Sequence, residues 1–217
     1  MKKIILLILC TTMLSSCSIA QKLGFDTYDY MSEKVLYLHD NDGEVALELS
    51  EILDILTTDS IELPTFDNMT DAIREYRDAV LTYMLETNYL KYSGNTELIE
   101  RAAREYPQYN ITQIIPQGEF ESTMYRYFGG NVKITHRDGG RFKYLSGVGA
   151  YISPVMPSPD VLSTEITYIG ETAKTYRVKF RVHSDIARSD EYFALIIKRD
   201  DGTLYIKKLL MSADMMY

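Results

Sequence analysis

The sequence predicts a single α+β domain in which helices come first and an antiparallel sheet follows. Three observations carry that expectation. Apolar residues recur at helical spacing up to about residue 128. From about residue 131 they alternate with polar ones, the period of a strand with one buried face. The charge divides at the same place: residues 17–130 hold 8 Lys+Arg against 21 Asp+Glu, a net of −13, while residues 131–210 hold 13 against 9, a net of +4.

The helical half is expected to span about 31–128. Behind Asp42-Gly43, the residues Val45, Leu49, Ile52, Leu53 and Leu56 form an apolar stripe, with Glu44, Glu48, Glu51 and Asp54 on the other side. Leu63-Pro64 breaks that helix. A second and longer stripe runs through Met69, Ala72, Ile73, Tyr76, Val80, Tyr83 and Met84, with Asn68 placed to cap its start and Ser93-Gly94-Asn95 to end it. A third helix from about Thr96 must stop at Pro107, and a fourth, carrying Phe120, Met124, Tyr127 and Phe128, is closed by Gly129-Gly130.

The sheet is expected over about 131–210, with about five strands. Val132, Ile134 and His136 alternate with Lys133, Thr135 and Arg137, and after the turn Asp138-Gly139-Gly140 the segment Arg141–Leu145 is the expected hairpin partner. Tyr176, Val178, Phe180 and Val182 alternate with Arg177, Lys179, Arg181 and His183. Residues 191–198 are apolar on both faces, and Asp200-Asp201-Gly202 turns the chain into a last strand. N-terminal helices packed on one face of a curved antiparallel sheet give a shape similar to cystatin-like and nuclear-transport-factor-like domains. The likeness is one of layout and rests on no motif.

The first residues read differently. Two lysines, an apolar run from Ile4 to Leu14 and then small residues make a secretory signal, and the run is too short to span a bilayer. Leu14-Ser15-Ser16-Cys17 resembles the lipobox of bacterial lipoproteins. The resemblance implies a signal peptide over 1–16, cleavage before Cys17 and lipid on the Cys17 thiol. It also implies a tether over 17–30 and residence on the extracytoplasmic side of a membrane, the outer one if the cell has two. The domain would then occupy 31–217.

Cys10 and Cys17 are the only cysteines, so a mature chain beginning at Cys17 has no disulfide framework, thiol nucleophile or cysteine metal site in its body. Losing Lys2 and Lys3 takes the net charge from −8 to −10, which disfavours nucleic acid as a partner. The histidines His39, His136 and His183 each have an aspartate nearby, but none has metal-ligand spacing to another or a serine elbow beside it, so no catalytic residue, metal or cofactor is expected. Asp40-Asn41-Asp42-Gly43 fails as a calcium loop, because its first and twelfth ligands would be Leu38 and Leu49. The tyrosines of the apolar stripes, such as Tyr76, Tyr83 and Tyr176, read as core-edge residues with hydroxyls reaching solvent.

The best binding candidate is a basic row. Arg177, Lys179 and Arg181 fall on the outward phase of their strand, with Lys133 and Arg137, and Lys198 and Lys207, in the same phase of theirs. Such a face suits an anionic envelope polymer or an acidic protein. The expected function is therefore a non-enzymatic, lipid-anchored envelope module. A second reading is a regulator of cell-wall hydrolases, similar in layout to the secreted DL-endopeptidase inhibitors; a third is a hydrolase of unknown substrate.

Overall fold

The apolar stripes and alternating runs meet as two faces of one core. A computed structural model describes residues 34–36, 43–58, 60–130, 132–153 and 162–216. The helices are α1 (Gly43–Thr57), α2 (Met69–Thr87), the short α3 (Tyr89–Ser93), α4 (Thr96–Glu105) and α5 (Gln117–Phe128). Asn68 caps α2 as its sequence suggests, its Oδ1 accepting the Asp71 N–H at 3.0 Å. That helix stops at Asn88 rather than at Gly94, which closes α3 instead. Beyond α5, Gly129 adopts φ 69°, and a Cβ there would lie 2.6 Å from the Tyr205 ring. Only glycine suits both the left-handed backbone and that approach.

The main sheet has the order β1-β5-β6-β7-β8, entirely antiparallel: β1 (Lys34–Leu36), β5 (Ser163–Glu171), β6 (Thr175–His183), β7 (Tyr192–Lys198) and β8 (Leu204–Met211). Its inner face carries Tyr176, Val178, Phe180 and Val182 from β6 with Ala194 and Ile196 from β7, and these share a core with Leu49, Leu53, Tyr76, Val80, Phe120 and Met124 of the helices. Register shifts between Ile166 and Tyr168 and between Leu195 and Ile196 interrupt the ladder at bulges, which increase local twist.

A second sheet, order β2-β4-β3, is built from β2 (Ile115–Pro116), β3 (Lys143–Leu145) and β4 (Ala150–Ile152). It has its own small core, in which Ala102 of α4 meets Ile111, Ile114, Leu145, Val148, Ala150 and Ile152.

Three further expectations need correction. Strands β1 and β2 lie inside the half read as helical; at three and two residues, neither is long enough to display a period. Residues 132–138 form no strand, and β3 pairs with β4 instead of returning along them. The reason lies in the donors available. Tyr125 Oη donates to the Val132 carbonyl at 3.0 Å, and the Arg77 guanidinium donates to the carbonyls of Arg137 at 3.5 Å and Asp138 at 3.3 Å, so side chains take acceptors that a ladder would use. Finally, the Tyr76 hydroxyl does not reach solvent: the residue is buried and donates to the Pro64 carbonyl at 2.7 Å.

Candidate functional site

The acidic side of α1 faces more than open solvent. Helices α1, α2 and α5 and the turn between β7 and β8 enclose a groove of about 580 Å³, within the range of small-ligand sites. One wall is Glu48, Glu51 and Asp54, spaced three residues apart on α1; the opposite wall carries Arg126 and Tyr127 of α5 and Thr203 of the turn. Ile52, Met84 and Leu204 supply apolar surface between them. Among the described residues none of Glu48, Glu51, Asp54 and Arg126 forms an ion pair; the Arg126 guanidinium lies 5.3 Å from the centre of the Tyr127 ring.

Two tyrosines bridge the walls. The hydroxyls of Tyr83 and Tyr127 are 3.1 Å apart and their rings meet edge to face. Burial, then the Tyr127 hydrogen bond, pushes the Tyr83 phenol well above its ordinary value; the charges of Asp54 and Arg126 act on it in opposite directions. Asp54 is an exposed residue, yet partial desolvation of its carboxyl, and after it the charge of Glu51, raises that group above the usual range.

The rim is fastened by one side chain. Arg199, at the end of β7, donates to the carbonyls of Tyr125 at 2.7 Å and Arg126 at 3.1 Å, and to Thr203 Oγ1 at 3.2 Å, while its guanidinium covers the Tyr205 ring at 4.6 Å. A cation on the last carbonyls of α5 is favoured by hydrogen bonding and by the helix dipole. The β7–β8 turn is thereby held against α5. At the other end, Tyr92 donates to Glu119 at 3.0 Å and Lys91 pairs with Glu119 at 2.6 Å.

The histidines fall apart in space. His136 Nδ1 lies 2.9 Å from the Tyr151 hydroxyl and Nε2 2.7 Å from Glu121 Oε1; Tyr144 stacks on the ring at 5.0 Å and donates to Gln117. Burial pushes the Tyr151 phenol up to about 12. It keeps its proton at neutral pH. A carboxylate, an imidazole and a phenol in line resemble a proton relay, but Tyr151 is 1% exposed, so the chain ends in the core. Its evident work is to hold residues 132–138 onto α5 and β4. His183 meets Glu165 at 2.8 Å on the surface, and Glu165 also takes Arg188. His39, the Asp40–Asp42 segment and Cys17 lie outside the described residues.

The basic row is not one continuous face. Lys179 and Arg181 both lie 3.8 Å from Glu191, and Arg177 sits over the Phe193 ring at 5.7 Å. The same face holds an apolar cluster of Phe193 and Leu195 with Ile197 and Leu210 against it. Lys133 and Arg137 are exposed on the segment outside the sheet, and Lys207 is exposed on β8. Lys198 shares the core-facing phase of Ile196, pairing with Glu171 at 2.5 Å and lying 4.0 Å from the centre of the Tyr176 ring.

The groove is what sequence reasoning missed. The one signal for it was the run Glu48, Glu51, Asp54 on a single side of α1, which reads equally as a solvated face; nothing local announces that Arg126, over seventy residues later, stands opposite. Among the described residues, no group of three His, Cys, Asp or Glu side chains is placed to hold a metal ion, and no helix is long and apolar enough to cross a membrane. No protein-family model, curated protein or solved structure matches the chain.

Proposed function

We propose that the chain is an exported lipoprotein, anchored through Cys17, whose α+β domain is a non-enzymatic binding module of the cell envelope that works through the groove between α1, α2 and α5. The anchor rests on Leu14-Ser15-Ser16-Cys17 behind its apolar run. One observation carries the binding role: a concave site of about 580 Å³ whose carboxylates and guanidinium form no ion pair among the described residues. The four charged residues are exposed to solvent, and the concavity brings carboxylates and a guanidinium around apolar surface that a bound molecule can cover.

Two experiments test the two halves. In cells, Cys17→Ser is expected to release the chain from membranes or leave it as precursor; a cleaved variant that still fractionates with membranes would sink the anchor. Crosslinking in intact cells with the anchored protein as bait is expected to capture a partner or wall fragment that is lost with the charge reversal of Glu51→Lys and Asp54→Lys together. Unchanged capture by that folded variant would remove the groove from the function.

A further inference from the structure

We propose that the groove binds the free ends of a short peptide, with the ammonium held by Asp54 and Glu51 and the carboxylate by Arg126. The inference rests on the binding role proposed above and names its ligand class. The charges choose among ligands. An anion would face three carboxylates on α1, a dication would place its second charge beside Arg126, and a neutral molecule would engage the charge of neither wall. A zwitterion answers each wall with its opposite. Arginine's planar fork matches a carboxylate through two parallel N–H bonds, and an ammonium offers three donors to acceptor-only carboxylates.

The interior of the groove agrees. The Tyr83 and Tyr127 hydroxyls, 3.1 Å apart between the walls, can donate and accept along a peptide's amide groups, while Ile52 and Met84 suit small apolar side chains. Asp54, Tyr83 and Arg126 line the same groove, and the charges of Asp54 and Arg126 act on the Tyr83 phenol with opposite sign. Asp54 is held beside Glu51 in a partly desolvated place where its own ionisation is disfavoured, an arrangement that a bound ammonium relieves.

The test uses the full-length protein in mild detergent, titrated calorimetrically at neutral pH with tri-alanine, N-acetyl-tri-alanine, tri-alanine amide and spermidine. Saturable binding of tri-alanine is expected, at least tenfold weaker when either end is blocked. Arg126→Gln is expected to abolish the difference between the acid and the amide, and Asp54→Asn to shrink the difference between the free and acetylated forms; circular dichroism verifies that both variants fold. Equal binding of the blocked peptides, tighter binding of spermidine than of tri-alanine, or no saturable binding up to millimolar peptide overturns the inference. Any of these alongside normal groove-dependent capture in cells would leave the broader binding role standing and remove only the peptide.

Discussion

On the outer face of the main sheet Lys179 and Arg181 share Glu191 at 3.8 Å, and around the second sheet Lys143 meets Asp138 at 3.2 Å. Around the groove, Glu48, Glu51, Asp54 and Arg126 stand without ion pairs among the described residues. Both regions are rich in charge, but the first spends it on itself. A basic row that reads as a binding face from strand phase alone is in part an internal salt-bridge network. An acidic helix side that reads as ordinary solvation is a wall with a cation opposite. The distinction lies in pairing, which strand or helix phase does not reveal.

The sharpest way to break the comparison is to move a carboxylate from the groove wall to the core. Val80 is fully buried in mid-α2, so Val80→Asp should cost about 3–5 kcal/mol, read by chemical denaturation. A normal midpoint would mean that the α2 stripe is not core. Next comes the paired cluster. His136→Ala removes one hydrogen-bond partner of the buried Tyr151 hydroxyl and should cost about 1–3 kcal/mol while leaving groove-dependent capture intact. Loss of cellular function in a well-folded His136→Ala protein would reopen an enzymatic reading.

The groove acid should behave in the opposite sense. Asp54 titrates above the ordinary 3.8 in the folded chain, so between those two values the folded state holds a proton that the unfolded state has lost. The contribution of this group to stability therefore declines as pH rises through that window and remains unfavourable at neutral pH. Asp54→Asn should remove that slope and stabilise the fold at pH 7, by under about 1 kcal/mol given the solvent around it, which raises the melting temperature. A lower melting temperature would show that Asp54 is paired after all. The smallest effect is expected on the outer face, where Lys179→Ala should cost about 0–1 kcal/mol and fade further with added salt. If instead Arg177, Lys179 and Arg181 all changed to Glu abolish capture in a folded protein, the face binds as well.

Most of the architecture was legible because its elements announce themselves locally. The stripe from Met69 to Met84 and the alternation from Tyr176 to Val182 each run long enough to set a period, and Asn68 caps where a capping residue stands. What failed was whatever depends on distant partners. Val132, Ile134 and His136 alternate like a strand, yet their segment is held by Tyr125, Arg77 and Glu121 from helices. The small sheet is missed because two- and three-residue strands carry no pattern. The groove is missed for the same reason as the hairpin error: its walls are remote in sequence, and only the core brings them together.

Arg199 gives the groove a temporal property. Because it ties the β7–β8 turn to the last carbonyls of α5 through the protein's own groups, the fold itself assembles the rim. Entry then needs no folding of a loop, so the association rate constant should stay nearly the same across related ligands and groove variants, and differences in affinity should appear as differences in residence time. Arg199→Ala should reverse that division by making arrival wait on the turn.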